Sequence, residues 1–260
     1  MKNVMMVAVA VSAVASFSAS ADNCGQYGCP TGGVATNQVI ERPIYTLSNN
    51  AQTKFADWVA YQVTPQTIDG GSRTRTWRAD PQLPENATLE PSDYKGAHAT
   101  IGTDRGHQVP LASFSNTHYW STTNYLSNIT PQSSDLNQGP WVKLENAVRG
   151  AVRNGNSVYV ITGPLYEYDF ATLPEADEEH FVPSGYFKVV ATISNTGWIN
   201  ASGFIMEQTA GRRDDYCRTE VTIDEIEYRS GLNFFPTLAS NVENSVEART
   251  GGLTRLMNCQ

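Results

Sequence analysis

Positive charge is scarce in this sequence: 18 Lys and Arg residues stand against 26 Asp and Glu, which gives a formal net charge of −8. A chain with this balance repels polyanions over most of its surface, so a general nucleic-acid-binding face is excluded. Any contact with a phosphate polymer must come from a few basic residues gathered in one place. Arg73, Arg75 and Arg78, which surround Trp77, form one such group.

Long apolar runs are missing after the N-terminus, and a membrane-spanning helix needs roughly 18 or more apolar residues. The chain begins Met1-Lys2-Asn3, continues with Val, Ala and Met interrupted by Ser, and reaches Ala19-Ser20-Ala21. A short apolar run that ends in small residues is typical of a secretory signal peptide. We therefore expect a signal peptide at 1–21, a single domain at 22–260, and a secreted protein, extracellular or periplasmic, without membrane association.

Cysteine is limited to four residues, whereas 40% of the chain is hydrophobic and can fill a core without depending on cross-links. Four cysteines allow three pairings in an oxidising compartment, and the spacing favours Cys24 with Cys29 and Cys217 with Cys259. The alternative is a zinc site. The first pair has no histidine nearby and the second pair is far apart in sequence, so disulfides are favoured.

The pattern of apolar residues indicates both strands and helices. Segments rich in β-branched and aromatic residues predict strands at 57–63, 157–162, 186–193 and 198–206, the second ending before Gly163-Pro164. Helical spacing predicts helices at 141–153 and 222–229. Thr222 and Glu225 form a capping box at the start of the latter. Because the strands and helices do not alternate regularly, we expect an α+β fold.

The most informative motif is Asp104-Arg105-Gly106-His107, whose residue types suit phosphodiester hydrolysis. His107 can act as general base, since an imidazole with an ordinary pKa near 6.5 is largely neutral at physiological pH. Arg105 supplies positive charge for the phosphate, and Gly106 lets the backbone approach a ligand closely. Asp104 can orient the imidazole or hold a metal-bound water.

A second group of residues predicts a metal site. Asn137 is the candidate direct ligand, since a hard cation such as Mg²⁺ prefers oxygen donors and retains most of its waters. Glu145 lies eight residues later and would hydrogen-bond those waters if the intervening chain is helical. Arg149 would contact substrate phosphate or pair with Glu145. We expect one Mg²⁺ per active site, with Mn²⁺ as a substitute.

Arg75 is the candidate for a second phosphate contact, because a guanidinium offers two parallel charge-assisted hydrogen bonds. Arg73 and Arg78 are expected to be ordinary surface residues. His98, His118 and His180 lack supporting neighbours in sequence and are expected to lie outside the site. Paired carboxylates at Glu178-Glu179 suggest a glycosidase, but no surrounding motif supports one.

Together these motifs resemble the DNA/RNA non-specific endonucleases with a ββα-metal (His-Me) finger, over nearly all of the chain after residue 21. The landmarks are Cys24 to Gly33, Arg75-Thr76-Trp77, Asp93-Tyr94, Asp104 to Gln108, Asn128 to Gln132, Asp135 to Gly139, Val182-Pro183-Ser184, and Cys217 with Cys259. Pro140 departs from the pattern and should kink or delay the metal-bearing helix.

The resemblance implies a central antiparallel sheet flanked by helices, with a ββα-metal finger at the active site. It implies that His107 is the base and that Asn137 is the metal ligand. It also adds Asn128 to the catalytic set. DNA and RNA would be the substrates, and the products would carry 5′-phosphates.

Two alternatives differ from this interpretation: a phosphodiesterase or nuclease restricted to one nucleic acid, and an inactive binding module that has kept the fold. The second predicts loss of the base or the ligand, and both residues are present. The sequence leaves open whether the chain forms a homodimer.

Overall fold

The computed structural model describes residues 23–194 and 197–259, so the expected signal peptide at 1–21 lies outside the described residues. The described chain forms nine strands and five α-helices. The strands are β1 (Gln38–Glu41), β2 (Thr46–Asn50), β3 (Phe55–Val63), β4 (Thr103–His107), β5 (Ile129–Ser133), β6 (Val158–Leu165), β7 (Gly185–Ile193), β8 (Ile199–Glu207) and β9 (Glu220–Val221). The helices are α1 (Ala97–Ile101), α2 (Ser134–Leu136), α3 (Val142–Arg153), α4 (Ile223–Ser230) and α5 (Ser240–Glu247).

Seven strands form one antiparallel sheet in the order β1-β2-β3-β6-β7-β8-β9. Alternate side chains of a strand point to opposite faces of the sheet. In the central strands the side chains on both faces are buried, because each face is covered by a hydrophobic core. On β3, Val59 and Tyr61 enter one hydrophobic core and Trp58 and Ala60 enter the other. The α+β class with a large antiparallel sheet is therefore confirmed.

Helices cover both faces of this sheet. On one face, α3 buries an apolar stripe that includes Leu144, Val148 and Val152, spaced as one side of a helix. On the other face, Ile223 and Ile226 of α4 pack into the second core. The sheet therefore lies between α3 and α4.

A two-stranded antiparallel sheet of β4 and β5 leads into α2 and α3, which is the ββα arrangement that the resemblance implies. Gly106 pairs with Thr130 and His107 with Ile129. A Cβ at Gly106 would lie 2.6 Å from Gln132 Cβ, so a larger residue would push the strands apart. The glycine thus allows close packing between strands, which differs from the predicted role of admitting a ligand.

Several boundaries differ from the sequence prediction. The strand predicted to end before Gly163 continues to Leu165, because the Gly163 and Pro164 positions remain paired with β7. The helix predicted at 222–229 is confirmed as α4: Thr222 is its N-cap, with a hydroxyl that accepts a hydrogen bond from Glu225 N at 3.1 Å, and the helix ends at the left-handed Gly231. Strands β1, β2 and β9 and helices α1, α2 and α5 were not predicted.

The four cysteines form the two pairs that the spacing favours, Cys24 with Cys29 and Cys217 with Cys259. A zinc site at these residues is excluded, since the sulfur atoms are bonded to each other. Among the residues that the structure describes, every helix is too short or too polar to cross a bilayer.

Candidate active site

A cleft of about 600 Å³ opens beside β4 and the start of α3. Seven of the eight residues proposed from the sequence for catalysis, metal binding or substrate binding line it. They are Arg75, Asp104, Arg105, His107, Asn137, Glu145 and Arg149. The eighth, Asn128, does not.

His107 is the last residue of β4, and its imidazole is only partly exposed. Its Nε2 lies 3.2 Å from Oδ1 of the buried Asn124, and Trp77 packs against the ring with centroids 5.2 Å apart. Burial lowers the pKa of His107 to about 4, with a further contribution from Arg75, although the Asn124 contact opposes the shift. The imidazole is therefore neutral at physiological pH and able to accept a proton.

Asp104 does not orient His107, which corrects one of its two predicted roles. Its Oδ2 accepts hydrogen bonds from Asn137 Nδ2 at 2.9 Å and Gln138 Nε2 at 2.8 Å. Its Oδ1 accepts one from Ser134 Oγ at 2.9 Å and lies 3.2 Å from His98 Nδ1. Burial tends to raise the pKa of Asp104, but these four hydrogen bonds outweigh it, so the carboxyl's pKa is lower than usual.

Asn137 lies at a break in the helix. The chain passes from α2 through a π-helical turn, Asn137–Trp141, in which Gly139 has the non-helical angles φ −110 and ψ −116, and then enters α3. The kink predicted for Gly139-Pro140 is thus present, and Asn137 and Glu145 are not on one continuous helix. The break nevertheless places both side chains on the same cleft.

The two arginines proposed for phosphate contact differ in how firmly they are held. The guanidinium of Arg105 lies 5.8 Å from the Trp77 ring and 5.2 Å from the Tyr94 ring, and its Nη2 donates to Pro91 O at 3.0 Å. Arg75 is exposed and makes no hydrogen bond or ion pair with any described residue. Arg105 is therefore a fixed charge, whereas Arg75 can move to meet a ligand.

Glu145 lies at the inner wall of the cleft, with a side chain only 11% exposed. Burial raises its pKa, and the positive charges of Lys188, Arg149 and Arg75 oppose that shift. Lys188 is fully buried, and its Nζ lies 4.2 Å from the centroid of the Trp141 ring. Burial lowers the pKa of Lys188 to about 8 while Glu145 opposes the shift. These positive charges limit the rise in the pKa of Glu145.

Of the two alternatives that the sequence left open for Arg149, the structure shows the pairing with Glu145. Arg149 lines the cleft, yet only 6% of the residue is exposed. It donates to Ser113 Oγ at 3.3 Å and Asn146 Oδ1 at 2.6 Å, and it lies 4.0 Å from Glu145 Oε2. Its guanidinium is thus directed mainly at the protein.

Asn128 is fully buried, and its side chain bonds to backbone groups instead of facing the cleft. Its Oδ1 accepts from Val109 N at 2.8 Å, and its Nδ2 donates to Val109 O and to Thr123 O. The expectation that it belongs to the catalytic set does not match this placement. Asn128 instead joins the segment after His107 to the segment that carries Asn124.

Of the histidines expected outside the site, His118 is exposed and away from the cleft, and His180 is packed against Leu173 and Glu178. His98 differs, because it lines the cleft and contacts Asp104 and Ser134. Arg73 and Arg78 stack on Trp120 and Tyr125, respectively, away from the cleft.

The sequence did not indicate Asn124 or Lys188 as parts of the site, and it gave Trp77 only as a neighbour of the arginines and a landmark of the resemblance. Each comes from a segment far from the motif it supports, so local spacing carries no signal for it. Trp77 alone had a clue, since it lies within the arginine group.

The donor set of the cleft fits a hard divalent cation. Asn137 donates its Nδ2 to Asp104, which leaves the amide Oδ1 as the end available to a ligand. Glu145 adds carboxylate oxygens on the same cleft. Such cations prefer oxygen donors of this kind and need few direct protein ligands when they retain waters.

The fold and the cleft are those of a hydrolase that acts on nucleic acids. The chain belongs to the DNA/RNA non-specific endonuclease family, whose sequence profile matches residues 21–241. Enzymes of this family are generally metal-dependent.

Two relatives show how far the similarity extends. The nuclease of Serratia marcescens is 46% identical over 254 residues, which cover 96% of this chain and 94% of the relative. Mitochondrial endonuclease G of Homo sapiens is 33% identical over 247 residues, covering 87% of this chain and 77% of the relative.

A solved structure has the same fold. It is described as the crystal structure of the EndoG/EndoGI complex, and it superposes with a TM-score of 0.72 at 22% identity. The match covers 88% of this chain and 94% of the other chain.

Proposed function

We propose that this protein is a secreted, Mg²⁺-dependent endonuclease that hydrolyses DNA and RNA with little sequence preference and leaves 5′-phosphate ends. The observation that carries the proposal is the single cleft shared by a neutral histidine, an oriented asparagine and two arginines. Phosphate contacts carry no sequence information, so a site built on them suits many substrates.

In the proposed reaction His107 removes a proton from the attacking water as the new bond to phosphorus forms. Arg105 and Arg75 neutralise the charge that accumulates on the phosphate oxygens. The leaving group is the 3′-oxygen, so the phosphate remains on the 5′ end of the product. Asn124 and Trp77 hold the imidazole in place throughout.

Asn137 would hold the cation directly through Oδ1, and Glu145 would hydrogen-bond its waters. When bound, the cation supplies Lewis-acid stabilisation of the leaving oxygen. Arg149 is proposed to act on Glu145, with which it forms a buried pair, more than on the substrate. Mg²⁺ is the proposed ion because the site offers few protein ligands.

Secretion is part of the proposal. The signal-like sequence at 1–21 supports it, as do two disulfides, which persist in oxidising compartments. N-terminal sequencing of protein recovered from culture medium or periplasm tests both the export and the cleavage after Ala21.

The activity is tested on supercoiled plasmid DNA and on a defined RNA, with Mg²⁺, with Mn²⁺ and with a chelator. His107→Ala should lower the rate by at least roughly 10²-fold to 10⁴-fold, and Asn137→Ala should abolish stimulation by Mg²⁺. His118→Ala, which changes an exposed histidine outside the cleft, is the matched control. Undiminished cutting by His107→Ala would contradict the mechanism.

The alternative of a nuclease restricted to one nucleic acid is decided by the same assay. It predicts that the rate of cutting one nucleic acid, DNA or RNA, is far higher than the rate of cutting the other. The 5′ ends of the products are tested separately by labelling with a polynucleotide kinase. Ends that carry a 5′-phosphate accept the label only after treatment with a phosphatase.

A further inference from the structure

A group of carboxylates lies between α4 and α5, outside the cleft described above. Asp224 and Glu227 are three residues apart on α4 and so share one face of that helix. Glu247 is the last residue of α5. One carboxylate oxygen from each of the three lies within 4.8 Å of the others.

Glu247 is the unusual member of the group, because only 3% of the residue is exposed. Its buried Oε1 has no hydrogen-bond partner among the described residues. A buried polar group normally has a partner, and a buried charge is normally paired or bound to a metal. Glu247 also lies at the C-terminal end of α5, where the helix dipole places a partial negative charge that makes the local electrostatic potential more negative.

Nearby basic side chains are committed elsewhere. Arg229 pairs with Glu167 and Glu207, and Arg249 donates to Ser245. In the part of the chain that the structure describes, no salt bridge reaches the three acids. The negative charge of the group is therefore left without a protein cation.

The electrostatics of the group agree with this geometry. Burial, followed by repulsion from Glu227, Glu243 and Asp224, raises the pKa of Glu247 to about 8. Burial likewise raises the pKa of Glu227, although the hydrogen bond that its Oε1 accepts from Phe234 N opposes the shift. The three acids would either retain a proton or share a cation.

We propose that Asp224, Glu227 and Glu247 bind one divalent cation, Ca²⁺ in preference to Mg²⁺, which joins α4 to α5. Carboxylates from two helices suit Ca²⁺, which accepts six to eight oxygen ligands in adaptable geometry. Mg²⁺ demands near-octahedral geometry and gives up its waters reluctantly. Because α4 and α5 both contact β8, the ion stabilises the C-terminal part of the domain.

Calcium binding is measured by isothermal titration calorimetry on the full chain carrying Asn137→Ala, which removes the candidate cation ligand of the cleft. The expected result is one bound Ca²⁺ per chain. Thermal unfolding should show a Tm increase of roughly 5–10 °C when free Ca²⁺ is about 100 times its Kd, and a smaller increase with Mg²⁺.

Glu247→Gln, made in the Asn137→Ala background, should abolish the heat of Ca²⁺ binding and the Tm increase that Ca²⁺ causes. Without Ca²⁺ this variant should be at least as stable as its parent, because it removes repulsion, so a lost signal cannot be attributed to misfolding. Glu225→Gln is the matched control, since it removes the same charge from an exposed position on α4. It should bind Ca²⁺ as its parent does.

Asp224→Asn gives a second variant at an exposed position and should weaken Ca²⁺ binding by at least about 10-fold. The proposal is overturned if the parent chain shows no Ca²⁺-dependent heat or Tm increase, which would mean that Glu247 retains a proton. It is also overturned if Glu247→Gln and Asp224→Asn both bind Ca²⁺ as tightly as the parent.

Discussion

Asn137 donates its side-chain amide to Asp104 at 2.9 Å, and this one hydrogen bond determines which end of the amide is available in the cleft. An ionised carboxylate only accepts hydrogen bonds, so Nδ2 must face it. Oδ1 accepts no hydrogen bond from any described residue and remains free for a cation. Asp104 thus acts on the metal through the ligand that it orients.

Asp104→Asn should therefore weaken metal binding more than it slows the chemical step. An amide at this position can present either end to Asn137, so the ligand is no longer held in one orientation. We expect the Mg²⁺ concentration for half-maximal cutting to rise about 10-fold to 100-fold. Asp135→Asn is the control, since Asp135 is exposed and pairs with Arg212. Identical Mg²⁺ titration curves for the two variants would contradict the role of Asp104.

Protonation of His107 should slow the enzyme only near pH 4 instead of near 6.5, so this residue should give no acidic limb in the neutral range. Burial lowers the pKa of His107 to about 4, so the base stays neutral and competent until the pH falls to that region. The unfolded chain binds this proton near pH 6.5, so His107 also makes folding less favourable as the pH falls from there towards 4. Initial rates at saturating Mg²⁺ between pH 3.5 and 8 check the prediction. A half-maximal rate near pH 6.5 would show that the imidazole is not shielded as the structure indicates.

Most of the site residues predicted from the sequence line one cleft, and they could be picked out because they lie in short, dense motifs. Asp104 to His107 occupy one strand, and Asn137 lies at a helix break that Gly139-Pro140 made visible. Their supports could not be found in this way. Asn124 reaches His107 from 17 residues away, a contact that depends on how β4 and β5 pair and not on spacing along the chain.

The fold was predicted best where strands are apolar and long. Strands β7 and β8 were found to within one residue at each end. Strand β2 reads Thr-Leu-Ser-Asn-Asn and lacks an apolar pattern, yet all of it is buried, because its Asn side chains bond inside the protein. Asn49, for example, donates to Ala87 O at 2.8 Å. Tertiary hydrogen bonds of this kind overrode the local polarity.

Lys188→Met should make activity more dependent on alkaline pH. Lys188 is the first of the positive groups that oppose the raised pKa of Glu145, so its removal lets that pKa rise further. Glu145 then protonates at a higher pH, and the ratio of the rate at pH 6 to that at pH 8 falls.

The same variant should still fold, since Nζ has no hydrogen-bond acceptor among the described residues and Met retains most of the buried volume. Lys143→Met, at an exposed position of α3, is the matched control. An unchanged rate ratio in Lys188→Met would show that Glu145 does not depend on this charge.

The two disulfides should contribute unequally to stability, because they close chain segments of different length. Cys217 and Cys259 are separated by 42 positions, and Cys24 and Cys29 by 5. The loss of chain entropy in the unfolded state grows with loop size, which gives about 4 kcal/mol for the longer loop and about 2 kcal/mol for the shorter. Urea unfolding of the two paired Cys→Ser variants measures the difference. The loop closed by Cys24 and Cys29 also packs on the domain, since the ring centroids of Tyr27 and Phe235 lie 5.4 Å apart. An equal or larger loss of stability from the Cys24–Cys29 pair would show that this packing outweighs the entropy of the unfolded chain.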